Sequence, residues 1–112
     1  MAGGARKGLP PAPKQLSAEA KGWWRKILEC WDLDDAALLI LESGLEALDR
    51  MRQAQVILAK EGITIEDRFG QAKQHPATLV ERDAKATLLR HVKALGIDLE
   101  PLHDGPGRPA GS

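Results

Sequence analysis

Apolar side chains recur at helical spacing in three segments of the chain. The first segment begins after Ser17, a good N-cap, and ends near Trp31, with Glu19 in the first turn, where the helix dipole favours an acid. Its apolar positions fall on one face of a helix and are Ala20, Trp23, Trp24, Ile27, Leu28 and Trp31. The spacing predicts a first helix whose tryptophans pack in a core, an interpretation we favour over stacking on nucleic-acid bases.

The second segment is the longest uninterrupted helical pattern. Asp34 is a suitable N-cap, no proline follows before Glu61, and Gly62 suits a C-terminal cap. From Ala36 to Leu41 the pattern is apolar on nearly every side, which requires burial on every side. We therefore predict a long central helix shared between an intrachain core and a subunit interface, and the residues expected in that interface are Leu38, Leu41, Leu45, Leu48 and Met51.

Residues 63–74 interrupt the helical periodicity. Residues 63–65 alternate like a strand and residues 67–70 are typical of a turn, so a short hairpin or a loop is expected. Pro76 then opens a third helix that ends before Gly96, with a stripe formed by Val80, Ala84, Leu88, Val92 and Leu95. The predicted fold class is all-α, with three main helices, one of them long and central.

The two ends of the chain differ in composition from the middle. Residues 1–15 are rich in Gly, Pro and Ala and contain no acid, which predicts a flexible basic arm. Residues 101–112 are rich in Gly and Pro, and we expect a disordered tail. Between them, residues 16–100 are predicted to form one helical domain.

The charge of the chain is zero overall but unevenly distributed. Residues 1–28 carry a net charge of +5, residues 29–67 carry −7, and residues 68–112 carry +2. A basic front end is a weak indication of nucleic acid binding, although a solubilising basic segment explains it equally well. The candidate DNA-contacting residues are Arg6, Lys7, Lys14, Lys21, Arg25 and Lys26.

Residues that could carry out chemistry are few. The single cysteine, Cys30, has no histidine nearby, and the three histidines do not have the spacing of metal ligands. We expect neither catalysis nor a cofactor or metal. The N-terminus lacks the apolar stretch of a signal peptide, and no apolar run approaches the ~20 residues of a membrane span. A cytoplasmic or nucleoplasmic location is therefore expected.

Several short motifs occur in a specific order along residues 14–101. They are the Leu16-to-Lys21 segment before Trp23-Trp24, the Leu33-Asp34-Asp35 cap, Glu46-Ala47-Leu48, the Gly62 break, Asp67-to-Gln71, His75-Pro76, and Glu81-to-Ala84. In this order and spacing the chain resembles the small terminase subunits of tailed bacteriophages and prophages.

The resemblance implies a non-enzymatic protein of the bacterial host's cytoplasm, in which residues 16–100 form the helical oligomerisation and DNA-binding domain. Such subunits form homo-oligomeric rings, recognise double-stranded viral DNA for packaging, and regulate the large terminase subunit that holds the ATPase and nuclease. The alternative is a helical protein–protein adaptor that does not bind DNA and docks through its first and central helices.

Overall fold

The structure is a computed structural model that describes residues 8–97. Three helices and one short hairpin make up these residues. The helices are α1 (Ala18–Cys30), α2 (Asp35–Glu61) and α3 (Pro76–Leu95), and the antiparallel strands are β1 (Thr64–Glu66) and β2 (Ala72–Gln74). The mostly helical architecture with a long central helix is confirmed, and of the two alternatives for residues 63–74 the chain adopts the hairpin.

The helix boundaries follow from side-chain and glycine caps. The Ser17 hydroxyl accepts the backbone N–H of Ala20 at 3.0 Å, and the Asp34 carboxylate accepts that of Ala37 at 2.8 Å. At the opposite ends, Gly62 has a φ of 87° and Gly96 a φ of 69°, values that favour glycine. These local signals explain why the predicted boundaries agree with the structure to within one residue.

Helices α2 and α3 form an antiparallel pair with a closely packed contact. A Cβ atom added to Gly44 on α2 would lie 3.1 Å from Cβ of His91 on α3, so the contact leaves little space for a side chain. The other small residues buried on these two helices are Ala47, Ala54, Ala77 and Ala84. Small side chains allow the two helices to approach, and the pair forms the frame of the molecule.

Helix α1 packs on α2 through apolar side chains, and polar contacts fix its N-terminal end. The backbone N–H of Ser17 donates to the Asp49 carboxylate at 2.8 Å, and Arg52 pairs with Glu19 at 2.9 Å. The hydrogen bond to Glu19 raises the pKa of the Arg52 guanidinium, helped by the opposite charge and opposed by slight burial. The Gln15 side chain also donates to α2, at the carboxylates of Glu42 and Glu46.

The segment before α1 is attached to the core. Leu9 and Ala12 pack against it, and the indole N–H of Trp24 donates to the carbonyl of Pro10 at 3.0 Å. Trp24 is only 4% exposed, and Trp23 and Trp31 pack at the edge of the same core, so the predicted core role of the tryptophans is confirmed. From Leu9 onward, the segment predicted to be a flexible arm is packed against the protein.

The two glycines inside helices provide a stability test of the α2–α3 contact. Gly22→Ala meets nothing within 4 Å, so it should raise the free energy of unfolding by about 0.5–1 kcal/mol through helix propensity alone. In Gly44→Ala the free energy of unfolding should stay unchanged or fall, because overpacking against His91 costs roughly 1–3 kcal/mol and offsets the gain in helix propensity. Urea unfolding of both variants measures the difference, and equal stabilisation would contradict the close contact.

Candidate nucleic-acid and assembly surfaces

Four of the six predicted DNA-contacting residues lie within the described part of the chain. Lys14 is exposed ahead of α1, Arg25 and Lys26 are exposed on α1, and Lys21 is half-buried one turn before Arg25. Among residues 8–97, none of these four side chains forms an ion pair with a carboxylate. Arg6 and Lys7 lie outside the described residues. The four described cations are therefore available to an external anion.

Lys26 also contributes to an aromatic contact. Its ammonium lies 5.4 Å from the centre of the Trp23 ring, within the range of a cation–π interaction. The half-buried Trp23 ring therefore has a cation on one side and the apolar core next to it. This pairing places positive charge at the edge of an apolar surface.

That surface is an open groove of about 250 Å³ between the three helices. Trp23 and Ile27 of α1 form one wall, and α3 forms the other. Of the residues that line it, only Arg52 and His91 carry ionisable side chains. The groove exists because α1 and α3 both pack on α2 and make few contacts with each other.

The predicted interface residues lie mostly at the floor of this groove. Leu41, Leu45, Leu48 and Met51 are 4–7% exposed, so one chain buries most of each side chain, yet all of them contribute to the groove lining. Leu38 is half-buried and packs at the edge of the core outside the groove. The apolar stripe of α2 therefore packs mainly in the core of its own chain, and its remaining accessible surface lines the groove.

A second exposed feature is the tip of the β-hairpin. The Asp67 carboxylate accepts the N–H groups of Phe69 at 2.8 Å and Gln71 at 2.9 Å, and the Gly70 N–H donates to the Asp67 carbonyl at 2.9 Å. Gly70 has a φ of 80°, which the turn requires. Phe69 is 74% exposed and has the Arg68 guanidinium 5.1 Å from its ring centre. The tip thus presents an aromatic side chain on an ordered turn.

His75 joins the hairpin to both flanking helices. Its Nδ1 accepts the N–H of Ala77 at 3.0 Å as the N-cap of α3, and its Nε2 lies 2.7 Å from the Glu61 carboxylate at the end of α2. Because Nδ1 accepts, the proton is on Nε2 and is donated to Glu61. The backbone N–H of His75 also donates to the carbonyl of Ile63 at 2.8 Å. This residue fixes the base of the hairpin.

Sequence reasoning missed Phe69 and the pair of Glu61 with His75 as components of a surface. The turn motif Asp67-to-Gly70 predicts an exposed tip, and an aromatic residue inside such a turn is the signal that could have identified it. The contact of His75 with Glu61 has no comparable signal, because it depends on how two helix ends meet.

Residues 8–97 contain neither a candidate metal site nor a candidate membrane-spanning helix. In this part of the chain no group of His, Cys, Asp and Glu side chains could hold a metal ion. No helix described by the structure combines the length and the apolar character that a membrane span requires.

Replacing the cap residue tests the attachment of the hairpin. His75→Ala removes an N-cap, which costs about 0.5–2 kcal/mol, together with a buried ring. We expect lower stability and faster amide hydrogen exchange in β1 and β2. Glu61→Ala removes only the interaction of a carboxylate whose side chain is 55% exposed, so it should cost less. Urea unfolding with hydrogen exchange measures both effects, and an equal cost would contradict the capping role.

The chain matches one protein-family model, described as "Phage terminase, small subunit", over residues 20–100. The match begins inside α1 and continues past the end of α3, so it includes the groove, the hairpin and three of the candidate cations. No curated protein and no solved structure matches the chain. The family match covers most of the sequence, and the chain therefore belongs to the phage terminase small-subunit family.

Proposed function

We propose that this chain is the non-catalytic, DNA-binding subunit of a viral genome-packaging machine. Copies of it form a ring in the cytoplasm of the bacterial host, recognise double-stranded viral DNA, and regulate the large terminase subunit that carries the ATPase and nuclease. The observation that carries the proposal is the family match, which begins inside α1 and includes the whole of α2 and α3.

The DNA contact is assigned to the basic residues in and before α1. Lys14, Lys21, Arg25 and Lys26 support it, because they make no ion pair with a carboxylate among the described residues. Arg6 and Lys7 extend the same basic set toward the N-terminus. A few cations bind a duplex weakly, but many copies in one ring engage it together and gain affinity from multivalency. The expected contact is with phosphates, which position a protein on DNA without reading its sequence.

The subunit contact is assigned to the side of α2 that carries Leu38, Leu41, Leu45, Leu48 and Met51. The open groove supports this assignment, because Leu41, Leu45, Leu48 and Met51 line it, although each is only 4–7% exposed in a single chain. Leu89, which also lines the groove, is 60% exposed, and apolar surface that is open to solvent marks an interaction site.

Native mass spectrometry with and without a short duplex tests both parts of the proposal. We expect an oligomer larger than a dimer, and a further mass increase equal to the duplex when DNA is added at low salt. A strictly monomeric protein at micromolar concentration would overturn the ring. An oligomer that retains no DNA would favour the adaptor that docks proteins only.

Neutralising the described cations tests the DNA contact directly. A variant with Lys14, Lys21, Arg25 and Lys26 all changed to Gln should bind DNA more weakly. The slope of log affinity against log salt concentration should fall by roughly 0.9 for each phosphate that the variant no longer neutralises. Fluorescence anisotropy with a labelled duplex, measured across a salt series, gives this slope.

The matched control removes the same charge from another surface. Lys73, Arg82, Lys85 and Lys93 are exposed on β2 and α3, and changing all four to Gln gives the same net charge as the first variant. We expect this control to keep most of the salt dependence. If both variants lose affinity equally, the binding follows net charge and the assignment to α1 is wrong.

A further inference from the structure

We infer that the apolar groove is filled by the hairpin tip of a second copy of this chain, with Phe69 as the inserted side chain. This inference rests on the proposed assembly and specifies how neighbouring copies meet. It joins two features at different places on one subunit, the exposed aromatic tip and the groove between the helices.

Phe69 is the most exposed of the large hydrophobic side chains in the described part of the chain, at 74%. Four groups hold its turn in place, namely the Asp67 carboxylate and the backbone of Asp67, Gly70 and Gln71. An aromatic side chain on an ordered turn loses little conformational freedom when it binds, which is the property of an interface anchor. Within residues 8–97, most of the ring is left uncovered.

The groove has the chemistry of a site for such an anchor. Its floor is apolar, its volume is about 250 Å³, and it is open to solvent. Leu89, at its edge, is 60% exposed, so the apolar surface continues to the outside of α3. This lining offers a phosphate backbone few cations or hydrogen-bond donors, whereas an aromatic ring would bury against its leucine side chains.

The tip and the groove lie toward different ends of the α2–α3 pair. The hairpin connects the C-terminal end of α2 to the N-terminal end of α3. Met51, the floor residue nearest the hairpin, lies ten positions before Glu61, which corresponds to about 15 Å of helix. The exposure of Phe69 shows that the tip does not enter the groove of its own chain. The contact must therefore form between copies.

One pair of opposite charges fits this placement, although the tip itself also carries the exposed Arg68, whose guanidinium lies over the Phe69 ring. Lys26 lies over Trp23 on the groove wall, so the rim carries a cation. On the hairpin, Glu66 is exposed and makes no ion pair among the described residues. A hairpin placed in the groove brings this carboxylate toward the rim. One side chain does not reach the ~1,000 Å² that a specific interface buries, so the strands must also lie along the groove, including Ile63, which is 66% exposed.

A contact between two different surfaces of one chain is heterologous. Each copy offers a tip to one neighbour and a groove to the other, so the contact repeats until it closes into a ring. A symmetric dimer interface would instead stop at two copies. The proposed contact thus has the symmetry that a ring of identical subunits requires.

Disulfide trapping tests the contact in the full chain. In a Cys30→Ser background, Phe69→Cys combined with Leu89→Cys should form a ladder of covalent multimers on mild oxidation. Both positions are exposed, so folding should be unaffected. Within one chain the same bond is not expected, because a disulfide needs Cα atoms about 4.4–6.8 Å apart, Leu89 lies thirteen positions along α3 from Pro76, and the 74% exposure of Phe69 shows that the tip does not fold back onto that helix. The matched control pairs Phe69→Cys with Leu39→Cys, which is 70% exposed on α2 outside the groove and should give no ladder.

A charged tip gives an independent measurement. Phe69→Asp should raise the protein concentration needed for assembly by roughly ten-fold or more, since it removes a central aromatic anchor. Circular dichroism should match the unmodified protein. If the unmodified protein assembles while the Phe69–Leu89 pair gives no ladder, or while Phe69→Asp assembles normally, the inference is wrong and the proposed ring stands. If the unmodified protein is monomeric, the proposed ring itself fails.

Discussion

The architecture depends on the close antiparallel contact between α2 and α3. Gly44 and a set of buried alanines allow the two helices to approach until the backbone of α2 is near the His91 side chain. This contact fixes the register of the pair, and the register determines which leucines of α2 face α3. Helix α1 then packs on the remaining side of α2, and because it barely contacts α3, the space between them stays open. The groove thus exists because α1 and α3 both pack on α2 and barely contact each other.

The charged side chains are also divided between the helices, with paired acids on α2 and cations on α1. The acids near the middle of α2 are not a free negative surface, because Glu42, Glu46 and Asp49 accept hydrogen bonds from Gln15 and Ser17, just before α1. These contacts hold the N-terminal end of α1 on α2. They leave the cations of α1 without carboxylate partners among residues 8–97. A chain with zero net charge can therefore offer phosphates a positive surface.

The sequence predicts those features of the fold that depend on residues close together in the chain. Caps at Ser17 and Asp34, the break at Gly62 and the opening of α3 at Pro76 are local signals, and the structure agrees with them. Periodicity also identifies buried positions such as Leu45, but burial against the same chain and burial against another copy produce the same pattern. The groove depends on the distance between α1 and α3. The contact of His75 with Glu61 depends on how the ends of two helices meet. Neither is encoded in a short window of sequence.

If both proposed contacts are made, α1 links them. Trp23 forms part of the groove wall and carries Lys26 over its ring, and Lys26 is also one of the candidate phosphate contacts. A neighbour's hairpin in the groove would hold the Trp23 ring in place, but it would also bring its Glu66 carboxylate toward Lys26, where the carboxylate competes with a phosphate. Since coupling between two binding events is reciprocal, DNA held by Lys26 would weaken the subunit contact by the same factor by which that contact weakens the hold of Lys26 on DNA. Assembly and DNA binding would then depend on each other through one side-chain pair, without any rearrangement of the helices.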